Sequence, residues 1–144
     1  MKSIVLILAM FFAICLPSNA QNADKIFTGR IFNSEYHVYI VMDFYKNNVT
    51  VPGCAMYGEM SGYFGDDYDS RKWLFTSAKL TSPYIADLAI TNDYGSEDLT
   101  ATLTYNPADT TYTLKQMDGS ALKIARNRKW VKMPHELKFK LPRR

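Results

Sequence analysis

The chain has 144 residues, of which 14% are aromatic, and a formal net charge of +3. Cys54 is the only cysteine beyond the N-terminal apolar run, which excludes a scaffold held together by internal disulfides. Stability must therefore come from packing, which aromatic residues supply by burying large apolar areas.

Residues 1–20 have the pattern of a secretory signal peptide. Lys2 gives a short positive start, residues 4–16 form an almost unbroken apolar run, and Ser18 and Ala20 stand where a signal peptidase reads small residues. The apolar run is too short to span a membrane as a helix. We therefore expect an exported protein, periplasmic or secreted, with residues 21–144 forming one domain. A retained N-terminal anchor and lipidation at Cys15 are the alternatives.

Charge is distributed unevenly along the exported part. Residues 21–118 contain seven Lys or Arg and thirteen Asp or Glu, whereas residues 119–144 contain nine basic residues and one acid, Glu136. The basic C-terminal segment, residues 126–144, could face an anionic partner or simply solvent. For an exported protein such partners are envelope polymers or lipid head groups, so nucleic-acid binding is not expected.

The first half of the domain predicts strands separated by turns. Residues 25–32 are a strand candidate, and residues 36–45 form the longest strand, with apolar residues at alternate positions on one face and aromatic or branched residues on the other. This second strand is therefore predicted to be central and partly covered on both sides. A short strand over residues 49–51 follows, and the glycines of residues 54–72 predict an irregular hairpin with a long loop.

Alternation returns in the second half. Strands are predicted over residues 73–80 and 85–91, followed by a meander of three strands between Leu99 and Ala125, in which apolar residues alternate with threonines. Residues 136–142 alternate apolar residues with lysines, as an edge strand does. The pattern predicts an all-β fold, an antiparallel up-and-down meander of about eight strands forming a closed or partly open barrel. A β-sandwich is the alternative, because it shows the same alternation.

Aromatic residues in the irregular segment are the candidate binding residues. They stand among glycines and acids rather than in the alternation of a buried strand, and such side chains can stack on a sugar ring or anchor a protein contact. The five candidates are Tyr57, Tyr63, Phe64, Tyr68 and Trp73.

Motifs for catalysis or metal binding are not found. His37 and His135 lack the paired spacing of a zinc site, and Cys54 has no neighbouring base in the sequence to activate it. The acidic loops 66–69 and 93–98 lack the length and closing glutamate of a helical calcium loop, so we interpret them as solvated turns. We predict no catalytic residues, no metal and no cofactor. An enzyme with a pair of carboxylates for glycoside cleavage stays an alternative, because such a pair is defined by distance in space and not by sequence.

The succession of strands in an exported chain resembles the calycin-like, lipocalin-type small barrels. Gly29 matches the glycine of their first-strand Gly-x-Trp motif, with Ile31 at the tryptophan position, and Trp130 with Arg126 and Arg128 is similar to the basic residue that closes such barrels. The resemblance implies a barrel that encloses a small apolar ligand. Small exported barrels that inhibit lysozyme offer a second comparison, through the turn at residues 118–121.

The leading hypothesis is a non-enzymatic exported binding module that engages an envelope protein or polysaccharide through the aromatic, glycine-rich segment. The alternatives are a carrier whose barrel cavity holds a small apolar ligand and an inhibitor-type protein. The terminal strand could also add to the sheet edge of a partner protein. No transmembrane segment is expected in the exported chain.

Overall fold

The structure is a computed structural model that describes residues 25–143. The predicted signal peptide, residues 1–20, lies outside the described residues. Within residues 25–143 the chain forms twelve strands and the 3₁₀ helix Ala55–Tyr57. They are β1 (Thr28–Asn33), β2 (Val38–Asp43), β3 (Val49–Thr50), β4 (Glu59–Met60), β5 (Gly62–Asp66), β6 (Trp73–Ser82), β7 (Ile85–Asn92), β8 (Asp98–Asn106), β9 (Thr111–Gly119), β10 (Lys123–Arg126), β11 (Lys129–Lys132) and β12 (Glu136–Lys140). No helix within these residues is both long and apolar enough to cross a membrane.

Eight of the strands form a closed antiparallel barrel. Its order around the barrel is β1-β12-β9-β8-β7-β6-β5-β2, so each barrel strand pairs with the next barrel strand along the chain. β12 lies between β9 and β1 and thereby closes the circle. The predicted all-β meander of about eight strands is confirmed, and its form is the closed barrel. The terminal strand pairs within the domain.

The barrel interior is filled by the apolar residues that alternate along the strands. Leu99, Ala101 and Leu103 of β8 point inward and are buried, as the alternation predicts. Eight strands enclose a space that side chains can fill. Aromatic rings occupy much of it, in contacts that include a stacked pair at 5.4 Å and an edge-to-face pair at 6.5 Å between ring centroids. The interior rings are Phe27, Phe44, Phe64, Phe75, Tyr112 and Phe139.

Two short ribbons are inserted into the meander. β3 and β4 form a ribbon. Val51 and Cys54, which lie between these two strands, cover the outer face of the barrel. There they pack on Tyr63 and Leu74, which point away from the interior. The outward residues of β2, Tyr39 and Val41, are partly buried against this cluster, so β2 is partly covered on its outer face, as predicted.

β10 and β11 form the second ribbon, which covers one end of the barrel. Leu122, Ile124 and Met133 of this region are buried in the same cluster as the barrel interior. The predicted meander between Leu99 and Ala125 is wrong in its third strand: β10 lies there but pairs with β11, and β9 pairs with β12 instead. β12 pairs with β9 over five residues and places Leu137 and Phe139 inside the barrel. It therefore presents a longer strand with more buried apolar side chains than β10 does. We call the covered end the capped end.

The predicted long loop over residues 54–72 is also wrong in its middle. Residues 62–66 form barrel strand β5, in which every residue is buried. Gly62 and Gly65 are the reason that this strand resembles a loop in the sequence. A Cβ at Gly62 would lie 3.0 Å from the Cα of Met42, and one at Gly65 would lie 2.5 Å from the Cζ of Tyr39. These glycines therefore mark close approach of a neighbouring strand, not a loop.

Candidate functional site

A cleft of about 200 Å³ lies at the capped end of the barrel. Three segments form its walls: the loop 67–72 after β5, the turn 93–97 between β7 and β8, and the β10–β11 ribbon. Phe64 and Trp73 of the barrel strands lie at its base and are buried, whereas Tyr94 and Trp130 line its rim and are 78% and 60% exposed. We call this the first cleft.

Hydrogen bonds hold the Trp73 side chain and the turn that carries Tyr94. The indole Nε1 of Trp73 donates to the carbonyl oxygen of Lys123 at 3.1 Å and so ties the ribbon to the barrel. The turn that carries Tyr94 is held by Asn92, whose Oδ1 accepts the backbone N–H of Ser96 at 2.8 Å and whose Nδ2 donates to the Ser96 hydroxyl. The turn backbone and the base of the cleft are therefore ordered before a ligand binds, which lowers the entropy that the ligand must remove.

Charged residues in the first cleft form pairs. Lys123 donates to Glu97 at 2.7 Å, and Arg71 donates to Asp69 at the same distance. The backbone N–H of Arg71 and its guanidinium hold the pKa of Asp69 below the ordinary value. The guanidinium of Arg71 also lies over the Trp130 ring, 5.1 Å from its centroid. The cleft thus presents fixed hydrogen-bonding groups beside aromatic faces.

Arg126 closes the capped end from the β10–β11 ribbon. Its guanidinium pairs with both oxygens of the buried Asp66 carboxylate, with Nη2 2.8 Å from Oδ1, and donates to the carbonyl oxygen of Tyr36 at 2.7 Å. Hydrogen bonding to Asp66 raises the pKa of Arg126. The Tyr68 ring lies beside the same guanidinium at 5.0 Å and beside His37 at 4.9 Å. This clamp joins the ribbon, β5 and the loop between β1 and β2.

A second cleft of about 490 Å³ adjoins the first. The two share Asp69, Arg71, Ala125 and Trp130, so the stacked Arg71 and Trp130 stand between them. Four further residues complete the lining of the second cleft, namely Tyr68, Asn127, Arg128 and Lys129. Basic side chains outnumber acidic ones here.

The five predicted binding residues do not share one surface. Tyr57 and Tyr68 are exposed, at 49% and 66%, whereas Tyr63, Phe64 and Trp73 are buried. Phe64 and Trp73 nevertheless line the first cleft and Tyr68 lines the second, so three of the five lie at the capped end. Tyr63 lies beneath the β3–β4 ribbon. The Tyr57 hydroxyl donates to the carbonyl oxygen of Asp93 at 3.2 Å and so braces the turn from outside the cleft.

Sequence reasoning missed the two rim residues, Tyr94 and Trp130. Tyr94 lies in a segment interpreted only as a turn, and Trp130 lies within the basic C-terminal segment. A signal did exist for Trp130, because Lys129, Trp130, Val131 and Lys132 place an aromatic residue among lysines with no apolar partner two positions away. Such a side chain faces solvent unless a partner covers it.

The cysteine and the two histidines considered above do not line either cleft. Cys54 is buried, and this burial raises the pKa of its thiol, which disfavours the reactive thiolate. Within residues 25–143, no three His, Cys, Asp or Glu side chains are grouped so that they could hold a metal ion. His37 and His135 are exposed.

Comparisons with family models, with curated proteins and with solved structures gave no significant match to this chain.

Proposed function

We propose that this chain is a non-enzymatic binding module of the cell envelope that holds a sugar ring of a polysaccharide in the first cleft. The observation that carries the proposal is a pair of exposed aromatic rings, Tyr94 on the turn and Trp130 on the ribbon, which line the same cleft as two ion pairs. Aromatic faces present apolar area to a ring while the charged groups beside them can exchange hydrogen bonds with hydroxyls.

The volume of the first cleft suits one sugar unit of a polysaccharide better than a complete drug-sized molecule. Its volume of about 200 Å³ is below the range of roughly 300–1,000 Å³ that is typical of pockets for drug-sized molecules. It continues into the second cleft past Trp130, so a ligand longer than one ring has a path along the surface. A polymer of repeating units fits this shape.

The state of the carboxylates favours binding over glycoside hydrolysis. A hydrolase needs one carboxyl group with a raised pKa to donate a proton. Here Asp66, Asp69 and Glu97 each pair with a cation, and an oxygen of Asp93 accepts the backbone N–H of Lys72 at 3.1 Å. For Asp69, the backbone N–H and the guanidinium of Arg71 lower the pKa, which is the opposite of what a proton donor needs.

Because the barrel interior is filled with side chains, the first cleft is a better binding site than a cavity inside the barrel. The fold is compatible with the calycin-like barrels, whose resemblance implies a ligand inside. In this chain the interior space holds Phe27, Phe64, Phe75, Tyr112 and Phe139, each exposed by 2% or less. A small apolar ligand would have to displace these rings, at a cost in packing energy.

Binding to a glycan array, followed by titration calorimetry of the best ligand, tests the proposal. We expect Trp130→Ala to weaken binding by about 2 kcal/mol, because Trp130 lines both clefts, and Tyr94→Ala to weaken it less because Tyr94 is more exposed and lines only the first. Tyr84→Ala is the matched control, since Tyr84 is an exposed tyrosine in the turn between β6 and β7 at the other end of the barrel.

Equal affinity in the parent protein and in Trp130→Ala, with both folded, would contradict the proposal. If no glycan is bound but an envelope protein is, and Trp130→Ala abolishes that contact, the site is a protein-binding surface and the polysaccharide assignment is wrong.

A further inference from the structure

The second cleft has an excess of positive charge. Arg71, Arg128 and Lys129 line it against a single carboxylate, Asp69, which is already bound to Arg71 at 2.7 Å. The side chains of Arg128 and Lys129 have no ion pair among the described residues 25–143. Two cations are therefore available to a ligand at this position.

The backbone at Arg128 adds an independent observation. β10 and β11 are joined by a two-residue turn, because Arg126 pairs with Lys129. Both turn residues are in the left-handed region, with φ of 51° at Asn127 and 62° at Arg128. Such turns strongly favour glycine at the second position, since a side chain there is strained. The arginine is held in a conformation that favours glycine, and Arg128 lines the second cleft.

We propose that the ligand is an acidic saccharide chain, with a carboxylate, sulfate or phosphate group bound by Arg128 and Lys129 in the second cleft while a neighbouring ring occupies the first. This inference rests on the proposed function and specifies its ligand class. Arginine suits the role because its planar guanidinium binds two oxygens of an anionic group at once. Tyr68 and Trp130 give the cleft aromatic walls, which suit a sugar chain better than a layer of lipid head groups.

Arg128→Gly separates binding from folding. It removes the guanidinium and relieves the strained backbone, so we expect the midpoint of thermal unfolding to stay unchanged or rise. Affinity for acidic saccharides should fall by about tenfold or more, as loss of a charge-assisted hydrogen bond does. Lys129→Gln should weaken binding in the same direction. Lys46→Gln is the control for net charge, because Lys46 is exposed in the turn after β2, at the end away from the clefts.

The probes are an array of carboxylated, sulfated, phosphorylated and neutral oligosaccharides, together with vesicles of phosphatidylglycerol in phosphatidylcholine. Retention of acidic sugars by the parent protein and by Lys46→Gln, with loss in Arg128→Gly, supports the inference. Binding of neutral sugars alone, with equal affinity in Arg128→Gly, overturns it while the proposed function stands. Binding of the vesicles alone identifies lipid head groups as the anion and overturns it. Binding of neither class of probe overturns the proposed function as well.

Discussion

At the scale of single residues, the contact between Arg126 and Asp66 decides how the capped end is held. The carboxylate of Asp66 is 3% exposed and points into the barrel from the end of β5, whereas Arg126 is 25% exposed and comes from the ribbon. A buried pair of this kind adds little net stability over an apolar pair, but loss of one partner leaves a buried charge without compensation. The ribbon must therefore stay where Arg126 can reach Asp66, because any other position would leave the buried carboxylate without its partner.

Arg126→Met should lower the free energy of unfolding by about 3 kcal/mol, because it leaves the Asp66 carboxylate buried and unpaired. Urea unfolding at neutral pH measures this. Arg30→Met is the matched control, since it breaks an ion pair with Asp67 in which both side chains are about half exposed, and should cost less than about 1 kcal/mol. Addition of Asp66→Asn to Arg126→Met should recover part of the loss. Equal losses in the two single variants would contradict this account.

Residue identity alone could not predict which side chains meet at this site. Arg126 stood out in the sequence as a basic residue near the end of a barrel, but its partner lies 60 positions earlier in a segment interpreted as loop. Likewise, Trp73 was recognised as aromatic, yet its role at the base of the cleft depends on an indole bond to Lys123 across 50 positions. Contacts between distant residues follow from the barrel, which local patterns do not encode.

At the scale of elements, β5 shows why the glycines of residues 62–65 misled the sequence analysis. Gly62 lies against the backbone of Met42 and Gly65 lies beneath the Tyr39 ring, so both positions lack side chains because β2 approaches closely. Strands β7, β8 and β12, by contrast, were predictable from alternation, because each presents one face to the interior and one to solvent. Strand β5 is covered on both faces, which removes the alternation.

The two glycines of β5 should respond differently to alanine. A Cβ at Gly62 meets the carbonyl oxygen of Val41 and the Cα of Met42, which are backbone atoms that cannot move without breaking the pairing of β2 and β5. The three atoms nearest to a Cβ at Gly65 all belong to the far end of the Tyr39 side chain. We expect Gly62→Ala to destabilise by about 3 kcal/mol and Gly65→Ala by less than about 1.5 kcal/mol, because a side chain can rotate aside.

Chemical denaturation of both variants beside the parent protein checks this order. The reverse order, with Gly65→Ala the more damaging, would mean that Tyr39 and not the strand backbone is the rigid partner in β5. The comparison needs no other control, since each variant adds the same methyl group to the same strand.

At the scale of the whole molecule, closure of the barrel is the property that sequence could not decide. Alternation along each strand is the same in a sandwich and in a barrel, and only the pairing of β1 with β12 distinguishes them. That seam is narrow: Phe32 pairs with Lys140, and the Nδ2 of Asn33 donates to the carbonyl oxygen of Lys138 at 2.7 Å, a contact between residues 105 positions apart. The position of both clefts depends on this closure, because the ribbon that forms them connects β9 to β12.

Removal of residues 135–144 should therefore abolish folding. The deletion takes away Leu137 and Phe139, both buried in the interior, and exposes the edges of β1 and β9. Loss of two such side chains costs about 5 kcal/mol or more, which is comparable with the total stability of about 5–15 kcal/mol of a typical domain. Removal of residues 141–144 is the control, since Leu141 is 45% exposed and lies beyond β12. Far-ultraviolet circular dichroism and thermal unfolding should show a cooperative β-protein for the short deletion only. A cooperative transition in the longer deletion would mean that β12 is dispensable for the barrel and that its apolar residues serve a partner instead.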